Sequence, residues 1–183
     1  MDSINRNQDE HNREDLIGTA AVKQIKEVVK RAQSCFFCTA KTAADSIGAR
    51  PMSVQQVDEH GNLWFLSADD SHKNEELRED PTVTLYLQGS PHSDFLYLKG
   101  RATVSRDKQK IEELWKFVVK TSFTEGKDDP RITVIKVAPY EGYYWDTKHG
   151  NTIAGIKMMI GAALGKTMDD SIEGQVNVKT NPR

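Results

Sequence analysis

Apolar residues along this chain recur with two periods, one near 3.6 residues and one of two, and their order outlines a fold. Within residues 15–32, Val22, Ile25, Val28 and Val29 fall at helical spacing, while Lys23, Lys26, Glu27, Lys30 and Arg31 take the other face. Strand-like runs follow at 34–40, 48–57 and 63–67. The last two are joined by "DEHGN" (58–62), which reads as a hairpin turn. A short helix is expected over 71–78, ending at "EDP", then strands over 82–87 and 95–104 separated by "QGSPHSD". Residues 107–119 make the clearest helix, with Ile111, Leu114, Trp115, Val118 and Val119 at i, i+3, i+4, i+7 and i+8. Strands over 132–137 and 142–145, a helix over 152–164 and a last short strand over 176–178 complete the pattern.

Hairpin joins make antiparallel pairs, because parallel strands need long crossovers. About six to eight strands with few helices predict a closed or partly open barrel with flanking helices. Three segments are expected: a disordered or loosely held tail over 1–15, a barrel domain over 16–166, and a polar, partly ordered segment over 167–183.

Composition narrows the function. Of 183 residues, 37% are hydrophobic and 28% charged, with 25 basic against 27 acidic and a net charge of −2. No basic block points to nucleic acid. No run approaches the ~18 apolar residues of a membrane span, and the N-terminus lacks the apolar core of a secretory signal. A cytoplasmic protein is expected. The two cysteines, Cys35 and Cys38 of "CFFC", have no second pair to complete a zinc site. They lie in a strand-like run, where positions three apart face opposite sides, so they read as small apolar residues rather than a redox or metal pair.

Candidate chemistry begins at "WFLSADDSHKNEEL" (64–77). A helix start favours acidic groups, yet this one opens with His72 and Lys73. Ser71 suits an N-cap. Free N–H groups there, the Lys73 ammonium and the Ser67 hydroxyl would together seat a phosphate. Asp69 and Asp70 would then have to point elsewhere, and a polar loop before a surface helix is the plainer alternative. In "ARPMSVQQV" (49–57), Pro51 marks an edge strand or bulge. Arg50 before it is biased to an extended conformation, from which it can meet a bidentate acceptor or simply face solvent. Pairing across "DEHGN" is expected to bring Arg50 towards Ser67, Ser71 and Lys73.

These segments, with "LYLKGRATVSRDKQKIEELW", "GKDDPRITVIKVAPYEGYYWD" and "IGAALGK", run in a familiar order. The chain resembles the general stress protein branch of the pyridoxamine 5′-phosphate oxidase-like superfamily, the FMN-binding split barrels, over residues 16–166. The resemblance implies a six-stranded antiparallel split barrel with helices around it. It also implies a homodimer, with flavin mononucleotide (FMN) held between subunits. Residue by residue, it implies that Arg50, Ser71 and Lys73 bind the phosphate, with His72 beside them donating to it or facing water. Backbone groups of Met52, Ser53 and Val54, next to Pro51, and of Leu66 and Ser67 would line the ribityl chain and flavin edge. Trp145 of "YYWD" is similar to an aromatic near the flavin ring, supplied across the dimer or serving the core or interface.

Departures from the oxidases proper are visible. Phe95 stands where they carry a polar flavin contact, and their arginine-rich C-terminal substrate segment is missing. The resemblance therefore implies a flavin-dependent oxidoreductase of unknown substrate, or a flavin carrier, sensor or buffer without turnover, ahead of vitamin B6 oxidation. Relatives of the barrel also hold the deazaflavin F420 or haem. No histidine has an axial-ligand context, so haem does not suit, whereas F420 stays open. His149 of "KHG" reads as a surface loop residue rather than a proton carrier, and no metal site is expected.

Overall fold

In the computed structural model, residues 12–42, 47–115, 126–147 and 171–179 are described. The helical stripe read in the sequence becomes α1 (Thr19–Ala32), which buries Ala21, Val22, Ile25, Val28 and Val29. Lys30 and Arg31 fill its last turn, where cations complement the carbonyl end. Gln33 ends it in the left-handed conformation, its N–H donating to the Val29 carbonyl.

The strands are β1 (Leu16–Ile17), β2 (Ser34–Thr39), β3 (Ala49–Ser53), β4 (Gln56–Val57), β5 (Leu63–Ala68), β6 (Thr82–Gln88), β7 (Phe95–Ser105), β8 (Ile132–Thr147) and β9 (Ser171–Asn177). Two short helices, α2 (His72–Glu79) and α3 (Lys108–Trp115), follow β5 and β7. One sheet runs β1-β9-β8-β7-β6-β2-β3, and β5 joins β8 while also pairing with β4. The sheet is not closed, as a split barrel requires. Among the described residues it holds nine strands rather than six, the additions being two-residue β1 and β4 and the seven-residue β9.

Alternation along the strands sets the core. Phe37, Leu63, Phe65, Leu85, Leu98, Ile135 and Val137 are fully buried. Phe37 and Phe65 meet edge-on with centroids 5.3 Å apart. Each such side chain contributes about 1.5–3 kcal/mol by leaving water. A smaller cluster packs Ile111 and Leu114 of α3 on Ile132 and Val134.

Several elements differ from the sequence reading. Residues 132–147 form one strand, not the two expected over 132–137 and 142–145. The neighbouring strand bulges between Lys99 and Gly100, with Gly100 opposite Pro139. A Cβ at Gly100 would lie 2.8 Å from the Ala138 carbonyl oxygen, so only glycine permits that approach. The expected strand at 48–57 is split into β3 and β4, because Val54 N–H turns to the Gln33 carbonyl. β1 and β9 pair in parallel, against the antiparallel expectation.

The polar start of the chain is held at residues 12–15. Asn12 is fully buried, Glu14 N–H donates to the Glu173 carbonyl, and Tyr144 Oη donates to the Glu14 carbonyl. The predicted helix over 152–164, the end of the helix over 107–119 and His149 lie outside the described residues. Among the described residues, no helix is long and apolar enough to cross a membrane.

Candidate functional site

The split of the barrel is the natural place to look for a ligand. β4 pairs Gln56 with Trp64 and Val57 with Leu63. Continuing that register would set Val54 against Leu66 and Ser53 against Ser67. The ladder instead ends at the Gln55 N–H bond to the Trp64 carbonyl, and β3 turns away to pair with β2. Among the described residues, β3 has β2 on one side and no strand on the other, and Leu66 and Ser67 pair with β8 alone. Met52–Val54 and Leu66–Ser67 are thus the two lips of one seam. The residues singled out for the ribityl chain and flavin edge thus lie on two strands that part where the β4–β5 ladder ends.

One end of the seam is closed by β4, and α2 starts at the other. Arg50 lies opposite Phe37 on β2, so both point to the inner side of the sheet, whereas Pro51 and Phe36 share the outer side. The expected pairing across "DEHGN" does not place Arg50, since Ser67 pairs with Thr133 instead. What brings Arg50 to the start of α2 is Glu76. Its buried carboxylate accepts from Arg50 Nη1 at 2.8 Å and from Thr39 Oγ1 at 2.6 Å. Glu76 stands one helical turn after Lys73, on the same face of α2.

Lys73 is half-buried. Burial, and then the nearby Arg50 guanidinium, hold its ammonium below the usual lysine range, against the opposite pull of Glu76 and Asp70. Two cations from separate elements are therefore brought together in a partly desolvated place.

Ser71 occupies the N-cap position of α2 with extended backbone, but its side chain makes no capping bond. Its Oγ lies 3.2 Å from Ser67 Oγ. Ser67 Oγ donates to Asn74 Oδ1 at 2.9 Å, and Asn74 Nδ2 donates to Thr133 Oγ1 at 2.8 Å. Thr133 Oγ1 donates in turn to the Ser67 carbonyl at 3.2 Å. Ser67, Asn74 and Thr133 are all buried, so this network fixes the start of α2 to β5 and β8.

Of the acidic residues before α2, Asp69 is tied up elsewhere, while Asp70 still acts on Lys73. Asp69 pairs with Arg78 and Arg106, and Asp70 is exposed, 3.9 Å from Arg131. His72 stands in solvent with its side chain 66% exposed.

Trp145 is not in the seam. It lies opposite Phe95 on the outer side of the sheet, its ring tilted at 50° to that of Tyr143 with centroids 4.8 Å apart. There it lines a cavity of about 820 Å³ with Phe36, Pro51, Tyr86, Phe95 and Tyr97. Phe36 and Tyr86 are 60% and 51% exposed. Outward strand positions normally carry polar residues in a solvated sheet, so this aromatic group is an anomaly of the kind that marks an interaction site. Pro51 belongs to both features, lining the cavity beside Arg50 of the seam.

The cysteines behave as packing residues. Burial, with Cys38 adding a smaller push, raises the Cys35 thiol to about 12. Cys38 is also raised by burial, against the opposing Arg50 charge. Both stay protonated near neutrality, and both are free. No group of metal-ligating side chains occurs among the described residues.

Glu76, Asn74, Thr133 and Thr39 were not singled out in the sequence. Glu76 reads there as part of a solvated helix face, and its partners come from strands far along the chain.

Comparison with known proteins agrees with this architecture. Residues 20–169 match the family described as pyridoxamine 5′-phosphate oxidase like. No curated protein matches the chain. Among solved structures, a candidate general stress protein 26 from Jannaschia sp. CCS1 superposes with a TM-score of 0.70 at 20% identity, covering 85% of this chain and 96% of its own. General stress protein 26 from Bacillus anthracis str. Sterne gives 0.56 at 19% identity, covering 67% and 92% respectively. The general stress FMN/FAD binding protein from Xanthomonas citri gives 0.54 at 22% identity, covering 63% and 82%. At these identities the likeness is one of fold.

Proposed function

This chain belongs to the pyridoxamine 5′-phosphate oxidase-like family, and from that premise we propose that it is an FMN-binding protein of the general stress type that passes electrons through the flavin. The observation that carries the reading is the pair of cations at the end of the seam, Arg50 with the half-buried Lys73. Two cations held together in a desolvated place repel each other, and a phosphate monoester relieves both at once. The start of α2 adds backbone N–H groups, and Ser71, whose side chain makes no capping bond, adds a hydroxyl. The name of the Xanthomonas citri neighbour, an FMN/FAD binding protein, supports a flavin.

In this reading Arg50, Ser71 and Lys73 bind the phosphate, and His72 faces water. The seam lips, Met52, Ser53 and Val54 on one side and Leu66 and Ser67 on the other, hold the ribityl chain and flavin edge. Bound FMN would supply hydride or single-electron transfer, and the protein's part is to seat and orient it. No side-chain nucleophile is called for, in keeping with two protonated thiols.

The working unit is a homodimer with flavin between subunits. The exposed aromatic face of Phe36, Tyr86 and Phe95 supports this, since a lone subunit would leave it in water. Trp145, on that face rather than in its own seam, then serves the partner subunit's flavin.

Anaerobic mixing of the FMN-loaded protein with NADH or NADPH tests the electron-transfer claim. Bleaching of the flavin band near ~450 nm within catalytic times is expected. A persistently yellow sample would leave a flavin carrier or sensor and overturn the oxidoreductase.

A further inference from the structure

We infer that Glu76 is the positioning residue of the phosphate seat: its carboxylate fixes the Arg50 guanidinium in the orientation that meets the phosphate. The inference rests on the phosphate-seat reading of Arg50 and Lys73.

Glu76 is 2% exposed, on an eight-residue helix otherwise rich in charged groups that face water. Burying a carboxylate is costly unless it is paired and hydrogen-bonded. Part of that cost is met at Oε2, which takes both Thr39 Oγ1 and Arg50 Nη1. An arginine side chain carries long rotatable stems and a rigid planar head, and ordering it on ligand binding costs entropy. Engaging Nη1 beforehand fixes the plane of the head. A guanidinium has five N–H donors in a fixed planar fork, so holding Glu76 does not by itself preclude a further acceptor.

The placement is specific. Glu76 comes from the same helix face as Lys73, and Thr39 from the strand that pairs with β3. Arg50 is thereby referenced to both elements that form the seat. Its side chain keeps 20% of its surface accessible, so a ligand can reach it.

A charge argument alone gives the opposite expectation, which makes the inference testable by sign. Glu76 subtracts one charge from a site with two cations. If it acted only through its charge, Glu76→Gln would raise the local positive potential and tighten phosphate binding. If it positions Arg50, the same change releases the guanidinium and weakens phosphate binding.

The experiment measures FMN and riboflavin affinity side by side, by fluorescence titration of the full chain, for wild type, Glu76→Gln and Thr39→Val. Riboflavin lacks the phosphate, so its affinity reports the seam without the seat. We expect Glu76→Gln to lower FMN affinity about tenfold and leave riboflavin unchanged. Thr39→Val keeps the charge and removes one bond to Glu76, and it should move FMN affinity the same way by a few-fold. If Glu76→Gln does not fold, Thr39→Val decides alone. A wild-type preference for FMN that either folded variant retains or increases overturns the positioning role while leaving the seat intact. Equal wild-type affinity for FMN and riboflavin overturns the seat itself.

Discussion

Arg50 and Lys73, on an edge strand and at the start of a helix, stand close enough that the guanidinium helps to depress the lysine ammonium. Neither is drawn there by the other. Glu76 holds Arg50 from one side, and the Asn74 network fixes the helix that carries Lys73. Replacing either cation by alanine should weaken FMN binding about ten- to hundredfold, at about 1.5–3 kcal/mol per charge-assisted contact. Riboflavin affinity should stay as it was. Isothermal titration of Arg50→Ala and Lys73→Ala with both ligands checks this, and circular dichroism confirms that the variants fold.

The same pair sets a pH dependence. In the folded protein Lys73 loses its proton below the ordinary 10.5. A depressed lysine pKa means that the charged form is disfavoured in the fold, so its cost is relieved as pH rises through the folded value towards 10.5. A bound phosphate favours the ammonium. Between the pKa of the free protein and that of the complex, therefore, FMN binding takes up a proton and weakens as pH rises. Titrations through the alkaline range should show this loss in wild type, and Lys73→Met should lack it.

Asn74→Ala should cost about 1–3 kcal/mol of stability, because it removes the buried hydrogen bonds that the amide makes to the Ser67 and Thr133 hydroxyls. Urea unfolding measures the loss. FMN affinity should fall as well, since the start of α2 is no longer tied to β5 and β8.

How much of this could be read in the sequence depends on how local the cause is. The stripes of α1 and α3 and the alternation of β2, β6 and β7 are properties of contiguous residues, and they predicted their elements well. Pro51 correctly marked an edge strand, because a missing N–H is a local fact. The continuity of β8 was hidden, because the bulge that accommodates Pro139 lies on another strand. Arg50 and Lys73 were chosen by residue type and position, and the structure brings them together, although through β2 and α2 rather than across the hairpin. Glu76 was invisible for the same reason that it matters. Thr39 and Arg50 lie 37 and 26 residues away, and nothing in "NEEL" tells a buried glutamate from a solvated one.

The outer aromatic face predicts the assembly. Sedimentation velocity should give a dimer for wild type. The double change Phe36→Glu and Tyr86→Glu, at two exposed positions, should shift it to monomer. FMN affinity should fall with dissociation, because in the proposed dimer the partner completes the flavin site. Tight binding by a stable monomer would separate the two claims.

The most direct test of the central claim is the ratio of FMN to riboflavin affinity in the wild-type protein, measured by fluorescence titration at neutral pH. A seat built on two cations predicts that FMN binds at least about a hundredfold more tightly, from two charge-assisted contacts. Equal affinities would show that Arg50 and Lys73 do not hold a phosphate, and would contradict the account.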